Sequence, residues 1–155
     1  IREGDPMEIF TNRDGEVILK KYSPIGEIDA FAKQYAESLA AVSGCYVVIS
    51  DRDQVIAVSG GVKKEYIGRR ISHELEEIME QRRTVNTDTD NVKTITIIDG
   101  QDVSDMGQII FPIICEGDVI GSVVLMSKTE KQQVSDTEKK LVSVAADFLG
   151  RQMES

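Results

Sequence analysis

Residues 108–127, QIIFPIICEGDVIGSVVLMS, contain the strongest indication of the sheet topology. They predict two long strands, Gln108–Cys115 and Asp118–Ser127, joined by the turn Glu116-Gly117. Strands joined by so short a turn run antiparallel, because a parallel connection needs about a dozen residues. The sheet is therefore expected to be antiparallel, in an α+β fold, and not a doubly wound parallel one.

Two further strands precede this pair. The apolar runs Cys45–Ser50 and Gln54–Ser59 flank the polar turn Asp51-Arg52-Asp53, and Gly60-Gly61 ends the pair. Nearly continuous hydrophobicity predicts strands that are buried on both faces. Residues 84–91 are mostly Thr, Asn and Asp and predict a loop, and the alternating residues 92–98 predict one more strand.

Three helices are expected. Ser72 is the predicted N-cap of a short helix over 72–82 whose core face is Leu75, Ile78 and Met79. Ser135 with Glu138 forms a capping box before a final helix. The first helix, over 27–43, and the last each carry one apolar stripe at helical spacing. These two helices are expected to pack on one face of the sheet, or alternatively to form a four-helix interface with a second copy of the chain. The stripes are Ile28, Phe31, Ala32, Tyr35, Ala36, Leu39 and Ala40, then Leu141, Val142, Ala145, Phe148, Leu149 and Met153.

Residues 1–22 form a hairpin pattern ahead of this unit. Two short strands, over 7–11 and 16–22, flank a turn at Asn12–Gly15. Because an isolated two-stranded hairpin is marginally stable in water, it is expected to pair with an upstream segment or with a second copy of the chain. Residues 23–26 are interpreted as a linker, and residues 27–155 as the second domain.

The composition and charge of the chain exclude several classes of protein. The 155 residues carry a net charge of −9, and no apolar run is long enough to span a membrane. DNA binding draws on Lys and Arg that neutralise phosphates, and this chain has no such excess. Its two cysteines do not suggest a disulfide scaffold, so a cytoplasmic location is expected.

No catalytic site is predicted. His73, the only histidine, has no nucleophile or carboxylate arrangement around it, and Cys45 and Cys115 lack zinc-ligand spacing. No metal or cofactor is expected. Acidic residues in the loop near residue 100 lack the spacing of a calcium site and are interpreted as solvated surface. These residues are Asp99, Asp102 and Asp105.

A ligand pocket, if the domain has one, is expected between the sheet and the loops of residues 60–72 and 84–107. Its candidate lining residues are Ser50, Ser59, Tyr66 and Phe111, with core packing as the alternative role of each. The loop beside it is the most basic region of an acidic chain, and an anionic small molecule could meet it there. Its basic residues are Lys63, Lys64, Arg69 and Arg70.

Residues 1–22 resemble a known DNA-binding family. Gly4-Asp5-Pro6-Met7-Glu8-Ile9, followed by Asp14-Gly15-Glu16-Val17-Ile18-Leu19-Lys20-Lys21, resembles the second half of an AbrB-type swapped-hairpin domain. In that family two chains interleave their hairpins into one small barrel. The resemblance implies that the main DNA-contacting residues belong to a half-hairpin upstream of Ile1, so the DNA-binding residues of this chain are unknown.

The predicted strand pair over residues 108–127 is similar to the last hairpin of GAF domains. The residues that carry this similarity are Phe111-Pro112-Ile113-Ile114 and Gly117–Leu125. Together the two segments resemble a family of transcriptional regulators from spore-forming bacteria. The resemblance implies an activator and repressor of forespore-specific sporulation genes. Its expected partners are DNA, further copies in a homodimer or homotetramer, and an unknown small molecule. The alternative is a cysteine-dependent GAF-type reductase that uses Cys45 and Cys115.

Overall fold

The computed structural model describes residues 7–11, 17–21, 29–90, 93–98, 106–128 and 136–152. Strand β1 (Met7–Thr11) pairs antiparallel with β2 (Val17–Lys21) in a two-stranded sheet of their own. The register runs from Met7 opposite Lys21 to Thr11 opposite Val17. The predicted turn between them lies outside the described residues, and the swapped-barrel assignment stays a prediction.

Five strands form the main sheet, in the spatial order β4-β3-β7-β6-β5 with every neighbouring pair antiparallel. The central hairpin is the one that the sequence predicts, with Gln108 opposite Met126 and Cys115 opposite Asp118. The antiparallel α+β fold is therefore confirmed. The strands are β3 (Tyr46–Asp51), β4 (Val55–Ser59), β5 (Val85–Asn86), β6 (Gln108–Cys115) and β7 (Asp118–Met126).

Two long helices cover one face of this sheet. Helix α1 (Asp29–Ser43) packs on β3 and β4, and α4 (Asp136–Gln152) packs on β6 and β7 and also contacts α1. The apolar side chains between the helices and the sheet are named the helix-side cluster. It includes Ala32, Ala36 and Leu39 of α1, Val142, Ala145 and Leu149 of α4, and Val47, Ile49, Ile109, Ile113, Val123 and Leu125 of the sheet. The expectation of one shared face is confirmed.

The opposite face is covered by a short 3-10 turn (Lys64–Tyr66), helix α2 (His73–Glu80) and the segment of residues 93–98. Their side chains pack with the sheet in a second group, named the α2-side cluster. It includes Val48, Val55, Ile71, Leu75, Ile78, Met79, Ile97, Ile98, Ile110, Val119 and Val124. Both faces of the sheet are thus covered, which explains why its strands are nearly continuous in apolar residues.

Helix ends follow their local chemistry. The Ser72 hydroxyl accepts a hydrogen bond from the Leu75 amide at 3.2 Å, as an N-cap does, and confirms the predicted start of α2. Gly44 ends α1 with a φ of 71°, a left-handed conformation that suits glycine. The predicted cap at Ser135 lies outside the described residues.

Two predictions about the covering segments are wrong. Residues 84–91 are not all loop, because β5 adds to the edge of β6 and a single helical turn, α3 (Thr87–Asp90), follows it. Side chains hold that turn: Asn86 accepts from the Asp88 amide at 3.0 Å. Residues 93–98 are not a strand, since the only bridge among them pairs Ile98 with Ile71.

Candidate functional site

The segment of residues 93–98 closes the α2-side face by an unusual hydrogen-bond pattern. Gln108, at the start of β6, is fully buried. Its Oε1 accepts from the Ile95 amide and its Nε2 donates to the Ile95 carbonyl, each at 3.0 Å. The glutamine side chain therefore satisfies the backbone groups that a neighbouring strand would otherwise pair, which is why this apolar and polar alternation does not become a strand.

Ser72 ties the same segment to α2. Its amide donates to the Ile97 carbonyl at 2.7 Å, and its hydroxyl donates to the Thr96 carbonyl at 2.6 Å. One residue thus caps a helix and anchors the neighbouring segment over the sheet. The consequence is a covered sheet face, in which the apolar side chains of the α2-side cluster pack between the described covering residues and the sheet.

Ser50, the first candidate lining residue, lies within this face. Its hydroxyl is 2.6 Å from the hydroxyl of Ser122, on the neighbouring strand β7, and both side chains are fully buried. Sequence analysis did not identify Ser122. A polar residue in a run of buried apolar ones is the available signal, but only the register of β3 and β7 shows which residue it faces.

Tyr66, another of the candidate lining residues, is half-buried against the same α2-side cluster. The Arg69 guanidinium carbon lies 5.6 Å from the centre of its ring, within the range of a cation–π contact. The basic residues around it are exposed, as expected for this loop. Lys63 lies 4.0 Å from Glu65 and Arg70 lies 3.6 Å from Glu76, so acidic neighbours offset part of the positive charge.

Ser59 and Phe111 lie on the other side of the sheet. Phe111 packs against the helix-side cluster, and Ser59 is opposite Val47, whose side chain belongs to that cluster. Cross-strand partners share a face of the sheet. The four candidate residues therefore do not meet: the structure places Ser50 and Tyr66 on the α2-side face and separates them from the other two by the thickness of the sheet.

The side chains that could take part in catalysis or metal binding are far apart in the structure. His73 is largely exposed in the first turn of α2, with its Nδ1 3.8 Å from Glu76 Oε1. Cys45 is buried beside Tyr46 at one end of the sheet, whereas Cys115 ends β6 at the other. Tyr46 and Cys115 are seven residues apart in the strand register, so at 3.3 Å per residue the two cysteines are more than about 23 Å apart. They form no disulfide. Within the described residues no group of acidic, histidine or cysteine side chains could hold a metal ion, and the acidic loop near residue 100 lies outside them.

The outer surface of the two long helices carries exposed apolar side chains. Phe31 and Val42 of α1 are 43% and 71% exposed, and Val144 of α4 is 61% exposed. The ring of Phe31 meets the ring of Phe148 edge-on, with their centres 6.3 Å apart. Among the described residues, three of the five exposed large apolar side chains thus lie on these two helices. No described helix is long and apolar enough to cross a bilayer.

Comparison with protein families matches residues 27–154 to a family model described as "Stage V sporulation protein T C-terminal, transcription factor". A curated relative, stage V sporulation protein T of Bacillus subtilis (strain 168), is 50% identical over 154 residues, which covers 99% of this chain and 84% of the relative. The similarity therefore extends across both the β1–β2 pair and the larger domain.

Solved structures with the same fold are more distant in sequence. The GAF domain of an Acinetobacter phosphoenolpyruvate-protein phosphotransferase superposes with a TM-score of 0.61 at 14% identity, covering 86% of this chain and 84% of that one. The type II free methionine-R-sulfoxide reductase from Thermoplasma acidophilum superposes with a TM-score of 0.60 at 13% identity, covering 84% and 95%. At these identities the similarity establishes the GAF fold alone.

Proposed function

The chain belongs to the stage V sporulation protein T family of transcription factors, and from this premise we propose that it regulates sporulation genes in the forespore. The observation that carries the proposal is the 50% identity to a family member along nearly the whole chain. In this role residues 1–22 belong to an AbrB-type DNA-binding domain, residues 23–26 are a linker, and the GAF-fold domain assembles copies of the chain in the cytoplasm.

Support for the DNA-binding part comes from the pairing of β1 and β2. They form a sheet that is separate from the five-stranded one, and two strands alone are marginally stable. Interleaving with the hairpin of a second copy would stabilise them. Residues 1–25 contain four basic and five acidic residues, a net charge of −1, so the phosphate contacts are expected mainly in the preceding half of that domain.

The test of DNA binding uses two chains. One is residues 1–155, and the other is the same chain preceded by the N-terminal segment of the Bacillus relative. Fluorescence anisotropy with DNA from sporulation promoters is recorded at several salt concentrations. We expect strong binding that weakens steeply with salt only in the extended chain, because each phosphate contact releases a counterion. The absence of salt-sensitive binding in the extended chain would contradict the proposal.

Assembly through α1 and α4 is supported by the exposed apolar side chains on these helices. Paired copies would bury Phe31, Val42 and Val144 and form a four-helix layer, giving a homodimer or, with hairpin swapping, a homotetramer. The double variant Phe31→Lys/Val144→Lys is expected to lower the molar mass measured by analytical ultracentrifugation. Ile67→Lys is the matched control, because Ile67 is 47% exposed but lies outside both helices. An unchanged mass in a folded double variant would contradict assembly through this surface.

A small-molecule effect on this assembly remains part of the proposal. A molecule that entered between the sheet and the loop after β4 would meet Tyr66 and Ser50, whereas Ser59 and Phe111 face the long helices. Such a molecule would act by shifting an existing oligomer equilibrium. The proposed small-molecule effect is contradicted if none of the metabolites in a screen changes the thermal stability or the oligomer mass of the chain.

The alternative of a cysteine-dependent reductase gains no support. The family is one of transcription factors, not of enzymes. Cys45 and Cys115 lie at opposite ends of the sheet, too far apart for a disulfide, whose α-carbons are within about 7 Å.

A further inference from the structure

A small cavity of about 160 Å³ opens at the end of α2, and none of the four residues that the sequence suggested lines it. Three parts of the chain form it: the turn between β3 and β4, the end of α2, and the start of β7. Its lining residues are Arg52, Met79, Glu80, Arg82, Asp118 and Val119. These positions are far apart in sequence and converge only because the β3–β4 turn and the β6–β7 turn lie at the same end of the sheet.

Arg82 has an unusual backbone conformation. Its φ is 55°, the left-handed region that glycine adopts most easily. Its amide donates to the Met79 carbonyl at 3.0 Å, and the Arg83 amide donates to the Ile78 carbonyl at 3.1 Å. These are the two hydrogen bonds of a Schellman motif, in which the residue at this position is usually glycine. The backbone conformation therefore does not favour an arginine here, whereas its positive charge beside the helix C-terminus and the cavity that its side chain lines both do.

The charges around the cavity are balanced but not paired. Two arginines and two carboxylates line it, so their formal charges sum to zero. In the described part of the chain, neither Arg52 nor Arg82 forms an ion pair with Glu80 or Asp118. Below them, Met79 and Val119 are buried and provide an apolar floor. A simple anion would be attracted by the arginines and repelled by the carboxylates, whereas a molecule that carries both charges would satisfy both.

We propose that this cavity binds a small α-amino acid in its zwitterionic form. The carboxylate contacts Arg52 and Arg82, the ammonium group contacts Asp118 and Glu80, and a short aliphatic side chain lies on the floor. The cavity volume of about 160 Å³ suits an amino acid with a short side chain. Binding at this site does not depend on the proposed regulatory function, since it is a property of the folded domain alone.

The first test is an NMR titration of the 155-residue chain with L-valine, followed through the backbone amides. We expect shifts at Arg52, Arg82 and Asp118 that saturate. Isovalerate lacks the ammonium group of valine and isobutylamine lacks its carboxylate, so each is expected to bind at least tenfold more weakly. Inorganic phosphate is also expected to bind at least tenfold more weakly than valine. The proposal is overturned if valine causes no shifts at these residues, or if isovalerate, isobutylamine or phosphate binds as tightly as valine.

The second test separates binding from folding. Arg82→Gly is expected to raise the urea midpoint, because glycine adopts this φ without strain, and to weaken valine binding at least tenfold. Arg83→Gly is the matched control, since Arg83 is the next residue along but does not line the cavity; its valine affinity is expected to stay that of the parent chain. Unchanged affinity in Arg82→Gly would overturn the site, and a lower urea midpoint in that variant would overturn the conformational argument for it.

Discussion

Gly150 of α4 lies directly against the carbonyl oxygen of Ile114 in β6, so that a β-carbon at position 150 would overlap this oxygen. Helix and strand backbones therefore touch here, without a side chain between them. This contact fixes the height of α4 above the sheet and, with it, the position of the outer surface that we propose for assembly.

Replacing Gly150 by alanine is expected to have the opposite of the usual effect of Gly→Ala on the stability of a helix. Gly→Ala inside a helix ordinarily stabilises it by about 1 kcal/mol. Gly150→Ala is instead expected to lower the free energy of unfolding by about 1–3 kcal/mol, as overpacking does. Urea denaturation measures this change in the free energy of unfolding, with Lys140→Ala, at an exposed position of the same helix outside the proposed assembly surface, as a control that is expected to change little. A higher midpoint for Gly150→Ala would show that the backbones do not touch.

The buried hydroxyl pair of Ser50 and Ser122 is expected to be energetically coupled. Each single alanine variant leaves the other hydroxyl buried without its partner, at a cost of about 1–3 kcal/mol. The double variant Ser50→Ala/Ser122→Ala should cost less than the sum of the two, by about 1 kcal/mol. A double-mutant cycle in urea measures this coupling, and strictly additive costs would mean that the two hydroxyls do not interact.

The side chain of Gln108 is expected to hold residues 93–98 in place. Gln108→Glu replaces the Nε2 donor by a carboxylate oxygen, which cannot donate to the Ile95 carbonyl, and places a charge in a buried site. We expect faster hydrogen exchange at the Ile95 amide, measured by NMR. Gln54→Ala, at an exposed site, is the control and should leave this amide protected. Equal protection in both variants would contradict the role given to Gln108.

Loss of the Ser72 hydroxyl is expected to affect two elements at once. Ser72→Ala removes the cap of α2 and the hydrogen bond to the Thr96 carbonyl, at a cost of about 1–2 kcal/mol. At about 2–4 °C per kcal/mol for a chain of this size, the melting temperature should fall measurably. Ser143→Ala, inside α4, is the comparison and should leave the melting temperature nearly unchanged. A melting temperature of Ser72→Ala equal to that of the parent chain would contradict both contacts.

Local features of the sequence sufficed for most of the secondary structure. The hairpin of β6 and β7, the start of α2 at Ser72 and the end of α1 at Gly44 depend on neighbouring residues, through turn length, capping and backbone conformation. The pattern of apolar residues also indicated that the two long helices share one face, because each stripe must be buried against something.

Which residues face each other follows from the three-dimensional packing of the chain and not from its local sequence. Whether Ser50 shares a face of the sheet with Tyr66 or with Phe111 depends on strand register, since a shift of one residue moves a side chain to the opposite face. The segment of residues 93–98 has a strand-like pattern, yet a glutamine distant in sequence occupies its hydrogen-bonding groups. Likewise, nothing local brings Arg52, Arg82 and Asp118 to one cavity, because their proximity follows from the packing of three separate elements.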